Sequence, residues 1–323
     1  MKLSILNILR NHKDIFISGE ELSRQLGVTR AAIWKHMKQL QEEGYVIESF
    51  TKKGYRLLFE PPKLSIEKIS SNLASNSLAK KILYFETIDS TNEYCKKNSE
   101  SLTDGTIILS DSQSNGKGRF DRNWFSPKVK GIYCSIFLKP VISTYEIYKI
   151  TLITCAAITE VLIKQGVNAQ IKWPNDIYVK NKKIGGILTE MKGDMDRINY
   201  LVIGFGLNIN QDSKDFPEDL SSIATSLKTV YDLEFDREEI LTGILNKLEK
   251  YYKEFQHSLN FSESLDIIRK HSLVINKNVT LSKGKEKISA KVLNIGDNGE
   301  LIIDRNGREE CIYSGEISLS INQ

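Results

Sequence analysis

The chain has 323 residues, 40% of them hydrophobic and 27% charged, and its 45 Lys and Arg against 41 Asp and Glu leave a formal net charge of +4. That length suits two or three domains, and a charge so evenly spread says little about partners. With no run of about 18 uncharged apolar residues, and with Lys2, Arg10, Lys13 and Asp14 where a signal peptide needs its apolar centre, a membrane protein and a secreted one are both disfavoured and the sequence reads as cytosolic.

The first 60 residues hold no proline, and then Pro61 and Pro62 arrive together as a linker signal. Leu3, Leu6, Ile8 and Leu9 mark a short amphipathic helix, and Glu20 to Leu26 a second, stopped by Gly27. Thr29 is suited to cap a third, in which Ile33, Met37 and Leu40 share one face and which Gly44 ends. The following YVIESFTKKGYRLL alternates as a hairpin with its turn at Lys52, Lys53 and Gly54. Two helices joined by a glycine turn and followed by a basic-tipped strand pair form the pattern of a winged helix-turn-helix. Thr29, Arg30, Trp34, Lys35 and Lys38 would face outward to meet phosphates and base edges, and Lys52 and Lys53 would reach phosphate from the wing. A solvated basic helix in an unrelated three-helix domain is the competing account.

From about 63 to 270, apolar runs such as TIILS, GIYCSIFL and YLVIGFGLNI alternate with helical stretches at Tyr145 to Gln165 and Glu238 to Gln256, as in a mixed α/β or α+β domain. After about 271 the runs shorten to VTLS, ISAKVLNI, ELIID and EISLSI, with turns at Asp297, Asn298 and Gly299 and at Asn306 and Gly307, and a small β barrel is expected. Cys95, Cys134, Cys155 and Cys311 form no CxxC pair and read as buried reduced thiols. His12, His36, His257 and His271 all lie outside the densest motif region, about 89 to 210. Chemistry there must use Lys, Arg, Asp and backbone amides, which disfavours a histidine base or a histidine-bound metal.

Four segments in that region are candidates. SNGKGRFDRNW, Ser114 to Trp124, interleaves Gly116 and Gly118 with Lys117, Arg119 and Arg122, a composition suited to a phosphate or carboxylate, although it lacks P-loop and dinucleotide-fold spacing. KWPNDIYVKNKKIGGIL, Lys172 to Leu188, turns at Pro174, Asn175 and Asp176 and sets Lys183 before Gly185 and Gly186, so an acid and a lysine can share one pocket rim. Spacing alone does not separate this from a surface hairpin with Lys180, Lys182 and Lys183 solvated. GFGLNIN, Gly204 to Asn210, has glycines that fit close backbone approach in a buried strand, or a tight strand end. SSIATSL, Ser221 to Leu227, fits a helix cap or a nucleotide-facing loop.

Together, TIDSTNEY (Thr87 to Tyr94), SQSNGKGRFDRNWFSP, IKWPNDIYVKNKKIGGIL, GFGLNIN, IATSL and SGEISL (Ser314 to Leu319) resemble the ordered signature set of the bifunctional biotin protein ligases, the biotin operon repressors, over nearly the whole chain. The resemblance implies an α+β multidomain protein: a winged helix-turn-helix at 1–60, a junction at 61–82, a catalytic domain with a seven-stranded mixed sheet at 83–270, and an SH3-like barrel at 271–323. It implies ATP, Mg²⁺ and biotin as reactants, and biotin carboxyl carrier protein, operator DNA and a second copy of the chain as partners.

By the same resemblance Ser90, Thr91, Asn92 and Gln113 would bind the ureido ring of biotin. Gly116, Lys117, Gly118 and Arg119 would close over its carboxylate and the α-phosphate, with Trp124 packed beneath. Lys183 would contact the activated carboxyl and phosphate oxygens, and Asp176 would orient Mg²⁺ or the incoming lysine. Asn175 and Asn208 would lie near the nucleotide. Lys117 stands where many of these ligases have arginine, which keeps the charge and loses the bidentate fork. Three other readings compete: a biotin-sensing repressor without ligase activity, against which Lys183, Asp176 and Arg119 argue; a lipoate or octanoate ligase, against which the winged helix and the Gly-Lys-Gly-Arg loop argue; and a ligase that has lost DNA binding.

Overall fold

The structure, a computed structural model, describes the chain apart from residues 13, 43, 61, 62, 75–77, 195, 196, 284, 285, 314 and 320–323, and apart from the side chains of 3, 42, 283, 286, 316, 318 and 319. The linker expected at Pro61 and Pro62, and Ser314 of the last signature block, fall outside the described residues. The chain divides into two units, Met1–Lys63 and Leu64–Gln323.

The first unit holds α1 (Lys2–Asn11), α2 (Gly19–Leu26), α3 (Arg30–Glu42) and a hairpin of β1 (Val46–Phe50) and β2 (Gly54–Phe59). Ser18 caps α2 by accepting the Glu21 N–H, and Gly27 ends it at φ 67°, the left-handed conformation that glycine tolerates best. The Ala32 N–H donates to Thr29 Oγ at 3.2 Å, so the expected cap of α3 is in place. Ile5, Leu6 and Leu9 of α1 meet Leu22, Ile33, Met37, Leu40, Ile47 and Leu57 in one small core. Burying such side chains contributes about 1.5–3 kcal/mol each. The wing is pinned to the body at Ile17, which exchanges two backbone hydrogen bonds of 2.9 Å with Tyr55. A Cβ on Gly54 would lie 2.0 Å from Ile17 O, so this closeness requires glycine.

The second unit runs α4 (Ile66–Ser71), β3 (Lys81–Phe85), α5 (Thr91–Lys97), β4 (Thr106–Ser110), β5 (Gly131–Leu138), α6 (Ile147–Lys164), β6 (Gln170–Lys172), β7 (Asp176–Val179), β8 (Lys182–Gly193) and β9 (Ile198–Asn208). There follow α7 (Glu218–Ser221), α8 (Leu227–Tyr231), α9 (Arg237–Ser258), α10 (Ser262–Lys270), β10 (Asn278–Lys283), β11 (Glu286–Ile295), β12 (Leu301–Arg305), β13 (Arg308–Ile312) and β14 (Glu316–Leu319).

Seven strands form a mixed sheet in the order β3-β4-β5-β9-β8-β7-β6. β3 and β4 are parallel and the other neighbours antiparallel. The helix expected at Tyr145 to Gln165 begins at Ile147, because Ser143 accepts the Tyr145 N–H and makes the preceding turn a 3-10 one. The helix expected from Glu238 starts at Arg237, where Asp236 accepts the N–H groups of Glu238 and Glu239.

Period-two alternation divides the sheet residues between two faces. Ile132, Cys134 and Ile136 of β5 and Leu201, Ile203, Phe205 and Leu207 of β9 pack with α6, α9 and α10 in the main core, which continues into Val279, Leu281, Val292 and Ile303 of the C-terminal strands. The opposite face carries α5, with Cys95 and Leu102 on Ile108, Phe137 and Val202. The C-terminal module, expected as a small SH3-like β barrel, is β-rich, with a five-stranded antiparallel sheet in the order β13-β12-β11-β10-β14. Its Gly299 turn docks on the catalytic sheet, where the buried Trp173 indole N–H donates to Gly299 O at 3.0 Å. Cys95, Cys134 and Cys155 are buried free thiols as expected, whereas Cys311 is exposed because β13 is the outer strand of its sheet. Among the described residues no helix is long and apolar enough to cross a membrane.

Candidate active site

The site lies on the α5 side of the large sheet, over a patch without side chains. Gly204 and Gly206 of β9 pair across to Ser135 and Tyr133 of β5, and to Leu188 and Gly186 of β8. A Cβ on Gly204 would come 2.0 Å from Asn92 Oδ1, and one on Gly206 would come 2.3 Å from Trp124 Nε1. The glycines of GFGLNIN therefore mark close approach, here by Asn92 and Trp124 rather than by another backbone.

Ser90 caps α5 by accepting the Glu93 N–H at 3.4 Å, which sets the first turn of the helix against the sheet. Gln113 reaches this turn from the strand end after β4: its Oε1 accepts from Thr91 N at 2.9 Å and Thr91 Oγ at 3.1 Å, while its Nε2 donates to Ser126 Oγ at 3.0 Å. Asn92 is tied on both sides, since its Nδ2 donates to Glu190 at 2.8 Å and to Leu188 O at 3.3 Å, and its Oδ1 accepts from Ser135 Oγ at 2.5 Å. Ser90, Thr91 and Asn92 are thus buried and polar at one end of a cavity of about 380 Å³. Such an end suits an uncharged polar ligand group.

The Ser114 to Trp124 segment forms a short hairpin over the cavity. Lys117 pairs with Asn123, Gly118 N–H donates to Arg122 O at 2.7 Å, and Trp124 N–H donates to Gly116 O at 2.9 Å. Its tip, Arg119–Asp121, puts Phe120 and Asp121 both at φ 56°. The guanidinium of Arg119 lies 4.9 Å from the Phe120 ring centroid. It also donates to Asn175 Oδ1 at 2.9 Å and to Gly315 O at 3.4 Å, so the C-terminal module helps to aim it.

Opposite the hairpin, Lys183 Nζ stands 2.7 Å from Asp176 Oδ1 and 5.5 Å from the Trp124 ring centroid. The β7–β8 hairpin brings these two together by turning at Lys180 and Asn181, at φ 47° and 62°. Two successive left-handed residues match the twist of a tight hairpin. The IATSL segment seats Lys183 from the other side: Lys183 N–H donates to Ile223 O, and Thr225 N–H to Lys183 O, each at 2.9 Å. Asn208 lines the same cavity, with its Nδ2 donating to Thr225 O at 3.1 Å and its Oδ1 accepting from Gln211 at 3.2 Å. The cavity therefore has an uncharged polar end and a cationic end, with the Trp124 ring beside Lys183, which suits a ligand that joins an uncharged polar group to an anionic one.

The sequence-chosen residues Ser90, Thr91, Asn92, Gln113, Lys117, Gly118, Arg119, Trp124, Asn175, Asp176, Lys183 and Asn208 all line this one cavity, and Gly116 lies just behind them. Sequence reading missed Phe216 and Leu220, and gave no individual role to Ile223 of IATSL or Ile317 of SGEISL, all four of which line the cavity. Only the adjacent IATSL signalled Phe216 and Leu220. Burial pushes the Cys95 thiol up to about 12 and the Cys134 and Cys155 thiols well above their ordinary value. These three stay protonated at neutral pH and offer no nucleophile.

In the first unit, Thr29 ahead of α3, Arg30, Trp34, Lys35 and Lys38 of α3, and Lys52 and Lys53 of the wing are all exposed. Lys53 Nζ lies 5.5 Å from the Phe50 ring centroid, and the Arg30 guanidinium contacts Glu20.

Residues 84–208 match the Biotin/lipoate A/B protein ligase family, residues 2–56 an HTH domain and residues 274–320 the Biotin protein ligase C terminal domain. The chain is 33% identical over 321 residues to the Bifunctional ligase/repressor BirA of Bacillus subtilis (strain 168), covering 99% of this chain and 98% of that one. It is 29% identical over 318 residues to the protein of that name from Escherichia coli (strain K12), covering 98% and 96%. The solved biotin protein ligase from Aquifex aeolicus in complex with biotin and ATP superposes with a TM-score of 0.65 at 29% identity, over 75% of this chain and 99% of that one. Relatedness over its full length, with a helix-turn-helix module ahead of the ligase cavity, means that this chain belongs to the family of bifunctional biotin protein ligases and repressors.

Proposed function

We infer that the chain condenses biotin with ATP to biotinyl-5'-AMP, passes the biotinyl group to a lysine of a biotin carboxyl carrier protein, and in its loaded form represses transcription at operator DNA. The observation that carries this reading is Lys183, held 2.7 Å from Asp176 beside Trp124, facing the Arg119 hairpin across a cavity whose far end is polar and uncharged.

A carboxylate does not acylate an amine at neutral pH, so it must first become a mixed anhydride. A biotin carboxylate oxygen attacks the α-phosphorus in line, and the bond to pyrophosphate breaks. Charge gathers on the equatorial oxygens, where the cations Lys183 and Arg119 stabilise it. Ser90, Thr91 and Gln113 hold the ureido ring and fix the direction of attack. In the second step a neutral carrier lysine attacks the carbonyl, AMP leaves, and Asp176 takes the proton as its ion pair with Lys183 loosens.

Among the described residues no group of three His, Cys, Asp or Glu is arranged to hold a metal. One carboxylate, Asp176, borders the cavity and is paired with Lys183. This donor set falls short of a resident metal site, so magnesium would arrive with the substrate as MgATP, held by the phosphates, and Asp176 would be the carboxylate to orient it.

Closure of the Ser114 to Trp124 hairpin over biotinyl-AMP completes a surface that pairs with a second copy, and the homodimer offers two winged helices to a palindromic operator. The reaction and the repression both belong to the cytoplasm. Transfer of labelled biotin to a carrier domain, with Lys183→Ala alongside, tests the ligase. Labelling by the wild type and loss in the variant are expected; biotin binding without transfer would leave a biotin-sensing repressor. Operator DNA bound no more tightly with biotin and ATP than without them would sink the repressor half.

A further inference from the structure

The outward face of α3 has few groups free to read a base edge. The Thr29 hydroxyl is used as the helix cap, accepting Ala32 N–H at 3.2 Å. The Arg30 guanidinium is turned back onto Glu20, Gln39 meets His36 at 3.0 Å, and Gln41 donates to Ile47 O at 2.9 Å. Of the side chains that make the base-specific pairs of direct readout, Arg30 and Gln41 are thereby engaged, and Gln39 through its oxygen. Lys35 and Lys38 are mobile point charges better suited to phosphate.

Trp34 is different. It is 59% exposed, although Ile33, Met37 and Leu40 of the same helix fill the core without it. Lys38 Nζ covers one face of the indole at 5.8 Å from the ring centroid. The neighbour one turn earlier is Ala31, itself exposed and too small to cover the rest. A broad apolar plate is therefore held out on a cationic surface, doing nothing for the fold.

We infer that Trp34 is the residue through which α3 reads sequence, by packing its indole against the C5-methyl of a thymine in the major groove, while Lys35, Lys38, Lys52 and Lys53 hold phosphates. This rests on the DNA-binding reading above and adds the chemistry of recognition to it. The major groove shows a methyl only at thymine, so apolar contact there distinguishes a T·A pair without any hydrogen bond. The readout is one-sided: the methyl is recognised by what covers it.

The test is a cycle between side chain and methyl. A duplex is selected from a random pool by the full-length protein with biotin and ATP present, then resynthesised with each thymine in turn replaced by deoxyuridine. At one or two positions the wild type should bind about fourfold more weakly, the ratio that one buried methyl supplies. Trp34→Ala should bind the selected duplex more weakly and be indifferent to the same replacements, with Trp34→Phe between the two and circular dichroism reporting that both variants fold. If Trp34→Ala keeps the wild-type sensitivity, or if no methyl matters to the wild type, the inference is overturned and DNA binding stands. Enrichment of no duplex at all overturns both.

Discussion

The indole of Trp124 rests directly on the backbone of Gly206, so closely that a Cβ on the glycine would lie 2.3 Å from Nε1 and 2.6 Å from Cε2 of the ring. The same ring lies 5.5 Å beneath the ammonium of Lys183. A missing side chain in β9 thus sets the height of the surface on which Lys183 stands.

Gly206→Ala should lift that surface. The added methyl cannot be accommodated without moving the indole into the cavity, an overpacking that costs about 1–3 kcal/mol of stability. Biotin and ATP affinity should both fall at least about tenfold, the equivalent of about 1.4 kcal/mol. Isothermal titration beside a thermal melt separates the two effects, and unchanged affinity would remove Trp124 from the binding surface.

The Lys183–Asp176 pair predicts a split between the two steps. Lys183→Ala should slow adenylation by about 10²–10³, the usual loss when one preorganised partner of a developing oxyanion is removed. Asp176→Asn keeps the shape, so adenylation should survive better than transfer. Pyrophosphate exchange reports the first step and single-turnover labelling of the carrier the second; equal losses in both would deny Asp176 a separate part in transfer.

Local signals were legible where a single backbone conformation demanded them. Gly27 ends α2 at φ 67°, and Gly54 closes the wing at φ 111°, both read from the sequence as punctuation. The Asp176 and Lys183 hairpin was readable as one pocket rim because its turn is short. What joins distant segments was not readable. Arg119 reaches Gly315 over 196 residues and Trp173 reaches Gly299 over 126, and no period or spacing encodes such a meeting. Phe216 and Ile317 enter the cavity by the same long-range folding. Residue type predicts a buried Cys311, but its position in an outer strand leaves it exposed.

Glu160 predicts an acid-limited contribution to stability. Burial alone would raise its pKa, but hydrogen bonds from Lys247, Tyr251 and Lys164 outweigh it and hold the carboxyl at about 2. A carboxylate depressed below its unfolded value near 4.5 stabilises the fold above that value and loses the contribution as pH falls towards 2. The stability difference between wild type and Glu160→Gln should therefore be constant from pH 7 to about 5 and shrink between about 4.5 and 2. Urea titrations at stepped pH measure it, and a difference that does not change across that window would deny the ion cluster a role.

The Asp111–Arg237 pair makes a sharper demand, because both partners are buried. Asp111 is fully buried at the end of β4, and Arg237, the first residue of α9, lies 3.2 Å from its carboxylate and donates to Gly131 O at 2.9 Å. The Tyr84 hydroxyl donates to the same carboxylate. This cluster ties β3, β4, β5 and α9 together two residues before Gln113. Arg237→Met strands a buried charge and should cost about 3–5 kcal/mol, whereas adding Asp111→Asn removes the stranded charge and should recover a large part. Gln113 rides on the same strand end, so biotin affinity should fall in the single variant and return partly in the double. Urea unfolding and biotin titration on the two variants decide this. Additive losses would mean that the ion pair does not act as a unit, and the alignment of Gln113 would then rest on Ser126 and Thr91 alone.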